Sequence, residues 1–138
     1  MSRAYSSQGC ILVIDDSRTV REILRVGLSR AGFDVTCYLD GIAALSALYT
    51  PDCPLPDLII LDITLPKIDG YELAMKFRKM PSLARTPIVM LSGSASVLDR
   101  LKGRLAGANV YLTKPFRIQQ VVEVAQTQLA FRVCAIPQ

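Results

Sequence analysis

The chain has 138 residues, 51% hydrophobic and 20% charged, with a net charge of +4 from 16 Lys+Arg against 12 Asp+Glu. These proportions suit one folded domain with a real core and exclude a disordered segment. With no histidine and no CxxC pair among the cysteines, they also exclude a zinc site and His-dependent nucleophilic catalysis.

No apolar run approaches the ~20 residues that cross a bilayer, so no membrane association is expected. Residues 1–9 (MSRAYSSQG) have no apolar stretch of the secretory kind. The expected location is therefore cytoplasmic, and a disulfide is the less favoured state of the cysteines. Cys10 and Cys37 fall in apolar runs and are expected in the core, Cys53 and Cys134 at the surface. The mild basic excess reads as a solvated helical surface, and direct nucleic-acid binding is not expected.

In chain order, residues 1–9 form an extension and the first strand spans 10–15. Ser17 is a helix N-cap, and the helix runs to about Arg30 with Val20, Ile23, Leu24, Gly27 and Leu28 toward the sheet. Gly32 stops it, and 33–39 alternates as an edge strand would. Asp40-Gly41 opens a second helix to about Tyr49, followed by the proline-rich loop TPDCPLP. Strand three is 57–62, and ITLPKIDG is a loop leading to a third helix, about 71–80. Strand four is 87–92. A fourth helix spans 97–106, weakened by about 1 kcal/mol at Gly103 relative to alanine. Strand five is 109–113, and a last helix runs from 118 to about 131, leaving 132–138 as a tail. The domain is thus 10–131. Strict alternation of strand and helix predicts an α/β fold: a doubly wound, five-stranded parallel sheet, order 2-1-3-4-5, with helices on both faces.

Four apolar strands end in chemically active residues: Asp15-Asp16, Asp62, Ser92, and Lys114 before Pro115. In an open parallel sheet the carboxyl ends of the strands form the ligand-binding edge, so these residues meet there. Asp15 and Asp16 alone would also serve as caps of the following helix, Ser92 as a turn hydroxyl and Lys114 as a surface lysine. Together they describe phosphoryl transfer to a carboxylate. Clustered carboxylates repel unless a cation intervenes, and a hard divalent ion such as Mg²⁺ is the natural one. An aspartate attacks phosphorus while the cation and a lysine neutralise the phosphoryl oxygens. The X-Pro bond after Lys114 fixes where the lysine points, in some proteins through a cis peptide. No GxxxxGK[ST] loop is present, so direct ATP binding is not expected.

The motifs VIDDS (13–17), LIILDITLPKIDG (58–70), IVMLSG (88–93) and GANVYLTKPF (107–116) resemble the response-regulator receiver domain of two-component signalling, the CheY-like, flavodoxin-like fold. The resemblance implies that Asp62 is the phosphoacceptor. Asp15, Asp16, Asp62 and the Thr64 backbone carbonyl would hold Mg²⁺, and Lys114 would contact the acyl phosphate. Ser92 would be the switch hydroxyl and Tyr111 the switch aromatic. It further implies a histidine kinase or histidine-phosphotransfer protein as donor, docking on the first helix beside Arg18, Arg21 and Arg25. A downstream target would bind the face of helix four, strand five and helix five. Thr64 and Ser94 stand where this family tunes hydrolysis, and neither positions water well, so autodephosphorylation is expected to be slow to moderate. With no output domain after helix five, signalling is expected through changed protein binding. Residues 99–116 look most like single-domain regulators of twitching motility and phototaxis.

Two other readings compete. A haloacid-dehalogenase-type phosphohydrolase carries a second aspartate two residues after the nucleophile, where this chain has Thr64, so action as an enzyme on another molecule is not expected. A phosphorylation-independent pseudo-receiver usually lacks one of the acids or the lysine, all present here.

Overall fold

The computed structural model describes residues 7–134, with side chains to residue 130. The expectations for residues 1–6, for 135–138 and for the Cys134 thiol lie outside that description.

Strands β1 (Cys10–Ile14), β2 (Asp34–Tyr38), β3 (Leu58–Asp62), β4 (Ile88–Ser92) and β5 (Val110–Thr113) pair in parallel in the order β2-β1-β3-β4-β5. This is the topology expected from the sequence. β3 and β4 are buried at every residue because the sheet is covered on both sides. In β1 the pleat divides the side chains. Ile11 and Val13 join one core with Leu24, Leu28, Val121 and Ala125, while Leu12 and Ile14 join another with Ala44, Leu73 and Phe77. Helices α1 (Arg18–Arg30) and α5 (Ile118–Cys134) therefore cover one face, and α2 (Gly41–Leu48), α3 (Gly70–Lys79) and α4 (Val97–Ala106) the other. Each fully buried Leu, Ile or Phe in these layers contributes about 1.5–3 kcal/mol.

Helix starts follow capping chemistry. Ser17, Asp40, Asp69 and Ser96 accept from the amides of Val20, Ala43, Glu72 and Asp99 at 3.3, 2.8, 2.9 and 3.1 Å. Gly70 opens α3 where a Cβ would lie 2.6 Å from the Asp62 carbonyl oxygen, so only glycine lets this helix start against the end of β3.

Several details differ from the sequence expectation. Ile23 is 45% exposed, because α1 turns Leu24 and Leu28 to the sheet and leaves Ile23 on its flank. α5 continues through Cys134, three residues past its expected end and into the expected tail. A 3-10 turn, Pro81–Leu83, separates α3 from β4. Cys10, Cys37 and Cys53 are all half-buried, so neither the core nor the surface assignment holds cleanly. Of the expected extension, Gln8 donates to Gly32 and Gly9 accepts from Asp34, which ties both into the fold beside β2.

Candidate functional site

Parallel pairing brings the carboxyl ends of β1, β3, β4 and β5 to one edge. Asp15 and Asp16 follow β1, Asp62 is the last residue of β3, Ser92 the last of β4, and Lys114 follows β5. Asp15 is 0% and Asp62 5% exposed. Carboxylates this deep require partners. The Lys114 ammonium supplies one to both, 3.2 Å from Asp15 Oδ2 and 3.3 Å from Asp62 Oδ2. The other oxygens accept main-chain amides: Asp15 Oδ1 from Ser17 at 2.9 Å and Asp62 Oδ1 from Thr64 at 3.1 Å.

Asp16 is exposed and lies at the mouth of the site. One carboxylate oxygen from each of Asp15, Asp16 and Asp62 falls within 4.8 Å of the others. This all-oxygen, anionic donor set fits a hard divalent cation. Thr64 is exposed beside Asp62, in the loop between β3 and α3.

The electrostatics follow from burial. Burial and then the neighbouring Asp15 charge push the Asp62 carboxyl above its ordinary value, against the Thr64 amide and Lys114. Burial disfavours the Lys114 ammonium, but Asp15 and Asp62 outweigh it and the net shift is upward. The lysine is therefore fully charged at neutral pH. Its amide donates to the Ser92 carbonyl at 2.6 Å, and the Lys114–Pro115 peptide is cis.

The Ser92 hydroxyl is buried and accepts the Ser94 amide at 3.0 Å. Tyr111, opposite Met90 in the β4–β5 register, is half-buried and donates its hydroxyl to the Ser94 carbonyl at 3.0 Å.

Other groups complete the surroundings. The Ser94 hydroxyl donates to the Asp99 carboxylate, which this bond and the Ser96 hydroxyl hold below the usual range. Tyr71 donates to the Asp99 carbonyl at 3.4 Å, and burial followed by Tyr111 and Asp99 pushes its phenol up to about 12. The spacing of Ser96 and Asp99 is that of a capping box and was available to the sequence, whereas nothing local marks Tyr71. Arg21, expected on a docking face, instead turns its guanidinium to the Asp15 carbonyl at 2.8 Å. Arg25 pairs with Glu22 at 2.8 Å.

Residues 11–126 match the response regulator receiver domain family. The chain belongs to that family. The receiver is 35% identical over 112 residues to Protein PilG of Pseudomonas aeruginosa, covering 81% of each chain. Its fold is that of a putative response regulator from Chloroflexus aurantiacus, at 38% identity and TM-score 0.81 over 88% of this chain and 98% of that one. It also matches the chemotaxis response regulator CheY4 of Vibrio cholerae, at 29% identity and TM-score 0.80 over 86% and 97%. The receiver fold is a phosphoacceptor fold of two-component signalling rather than a classical enzyme; receiver domains bind Mg²⁺ at an acidic pocket, and this chain has the Asp15, Asp16 and Asp62 cluster. Among the described residues, no helix is long and apolar enough to cross a membrane.

Proposed function

We propose that this receiver takes a phosphoryl group on Asp62 from a histidine kinase or histidine-phosphotransfer protein in the cytoplasm and signals by a change in protein binding. The observation that carries the reading is the shared lysine: one ammonium within 3.3 Å of both buried carboxylates, with a third carboxylate at the mouth.

In the transfer, an Asp62 oxygen forms the new bond to phosphorus as the phosphorus–nitrogen bond to the donor imidazole breaks, and the imidazole keeps that electron pair. Asp15, Asp16, Asp62 and the Thr64 carbonyl are the residues for Mg²⁺, which when bound neutralises charge on the phosphoryl oxygens. Lys114 donates to one phosphoryl oxygen, from its place beside both buried carboxylates. Burial that raises Asp62 makes it a stronger nucleophile, while Lys114 keeps it ionised.

The Ser92 hydroxyl is the donor that follows the phosphoryl group, and Tyr111 is the aromatic that answers it. The responding surface is α4, β5 and α5. α4 presents Val97, Leu98 and Leu105 at 82, 67 and 77% exposure, beside Arg100 and Arg104. Such a face suits a downstream protein segment with apolar anchors and acidic flanks. The similarity to PilG and to a chemotaxis regulator supports a role in motility or taxis. Autodephosphorylation of this receiver is slow to moderate, since Thr64 and Ser94 are poor water-positioners.

Intact mass after incubation with Mg²⁺ and acetyl phosphate tests the reading. One phosphoryl group on the wild type, none on Asp62→Asn and none with EDTA are expected. No adduct on a folded wild type, from acetyl phosphate or from a phosphorylated histidine-phosphotransfer protein, overturns it in favour of a pseudo-receiver.

A further inference from the structure

Gly103 lies in the middle of α4, where glycine is the poorest helix former other than proline. It is buried, and its backbone is helical, so no unusual torsion accounts for it. The space around it does. A Cβ at this position would sit 3.0 Å from Tyr111 Cδ2, 3.2 Å from Met90 Sδ and 3.3 Å from Tyr111 Cε2. The flat side of α4 at Gly103 is thus one wall of the space that the Tyr111 ring occupies.

The remaining walls are equally specific. Arg100, one turn earlier on α4, holds its guanidinium 5.5 Å from the centroid of the Tyr111 ring, and its NH2 group lies 3.4 Å from Thr113 Oγ1. The ring's hydroxyl is anchored on the Ser94 carbonyl, and Ser94 is tied through Asp99 to the start of α4. The ring also lines a groove of about 470 Å³ between α4 and β5, together with Val97, Leu101, Arg104 and Val110 among others.

We propose that Gly103 is a positioning residue for the switch: by leaving out a side chain it provides the inward seat of Tyr111. Any side chain at 103 drives the ring outward into the α4–β5 groove. The residue at this position thereby sets how readily the output face changes shape. The inference rests on reading Tyr111 as the mobile aromatic of the switch.

The proposal separates from ordinary helix packing by sign. In isolation, glycine to alanine inside a helix stabilises the fold. Thermal melts of Gly103→Ala are compared in two backgrounds. With Tyr111 present the substitution is expected to lower Tm, and in the Tyr111→Ala background to raise it. In parallel, ¹⁹F spectra of 3-fluorotyrosine-labelled protein, assigned with Tyr111→Phe, are recorded against beryllofluoride and Mg²⁺ as the phosphoryl mimic. Gly103→Ala is expected to move the Tyr111 resonance toward that of an exposed tyrosine. By linkage it also weakens beryllofluoride binding about fivefold or more.

A fall in Tm of similar size in both backgrounds, or failure to fold in both, assigns Gly103 to packing on Met90 and overturns the proposal. So does an unmoved Tyr111 resonance. Failure of the wild type to bind beryllofluoride counts against the phosphoacceptor reading instead, and the pair of melts still decides whether Gly103 is the seat.

Discussion

The Arg21 guanidinium donates a 2.8 Å hydrogen bond to the main-chain carbonyl of Asp15. This joins the first turns of α1 to the backbone that carries two of the three clustered carboxylates. Arg21 therefore holds Asp15-Asp16 in place, and of the three arginines expected on the docking face it is the one committed inward. Arg21→Lys keeps the charge and removes the planar fork. Mg²⁺ affinity, measured by isothermal titration calorimetry, is expected to fall by about tenfold, as for other residues that orient metal ligands. Unchanged affinity would return Arg21 to the docking surface.

Asp16 is exposed, and under the proposed function it serves as a cation ligand. Asp16→Ala is expected to leave Tm unchanged in EDTA, within the ~0.5 kcal/mol typical of surface substitutions. The same variant should lose most of the rise in Tm that saturating Mg²⁺ gives the wild type. A large loss of stability in EDTA would instead make Asp16 a structural cap of α1.

The raised pKa of Asp62 has a definite sign in pH dependence. The folded chain binds this proton more tightly than the unfolded chain does. The ionised carboxylate thus costs stability above the raised value, and the cost vanishes below the ordinary carboxylate range. Without Mg²⁺ at pH 7, Asp62→Asn is expected to melt a few degrees above wild type, with the gap closing as pH falls through the acidic range. Saturating Mg²⁺ should narrow or reverse the difference. Equal Tm at pH 7 in EDTA would show that Lys114 already compensates the burial.

Far from the site, Arg78 gathers the amino ends of the sheet. Its guanidinium donates to the carbonyls of Thr86 at 2.6 Å, Gly107 at 2.7 Å and Leu83 at 3.1 Å, and to Asn109 Oδ1 at 2.9 Å. Arg78→Ala leaves these acceptors without their donor and is expected to cost about 2–4 kcal/mol in chemical denaturation. The folded fraction should still take up a phosphoryl group. A loss below 0.5 kcal/mol would mean that water replaces the arginine.

The strand order and the cluster at the sheet edge were legible because β1, β3 and β4 are doubly buried. Each reads as an unbroken apolar run that stops at its reactive residue. Lys114 was legible through its place after the short, half-buried strand β5 and before Pro115. The work of Arg21 and Arg78 was not, because their acceptors are mostly backbone carbonyls, which any residue type supplies. Ile23 was misplaced because helical periodicity gives the apolar stripe but not the angle at which α1 meets the sheet. Gly103 was visible as a weak point in a helix. Its reason appeared only when β5 brought Tyr111 against it.

The sharing of Lys114 between Asp15 and Asp62 also sets a charge parity at the sheet edge. By formal charge, three carboxylates against one ammonium leave two negative charges over, the valence of a single divalent ion. A monovalent ion leaves the edge anionic and repels any dianionic phosphodonor, whereas one divalent ion brings it to neutrality. The pocket is in this sense an electrostatic lock, whose stoichiometry is written in the ratio of the clustered acids to the lysine that two of them share.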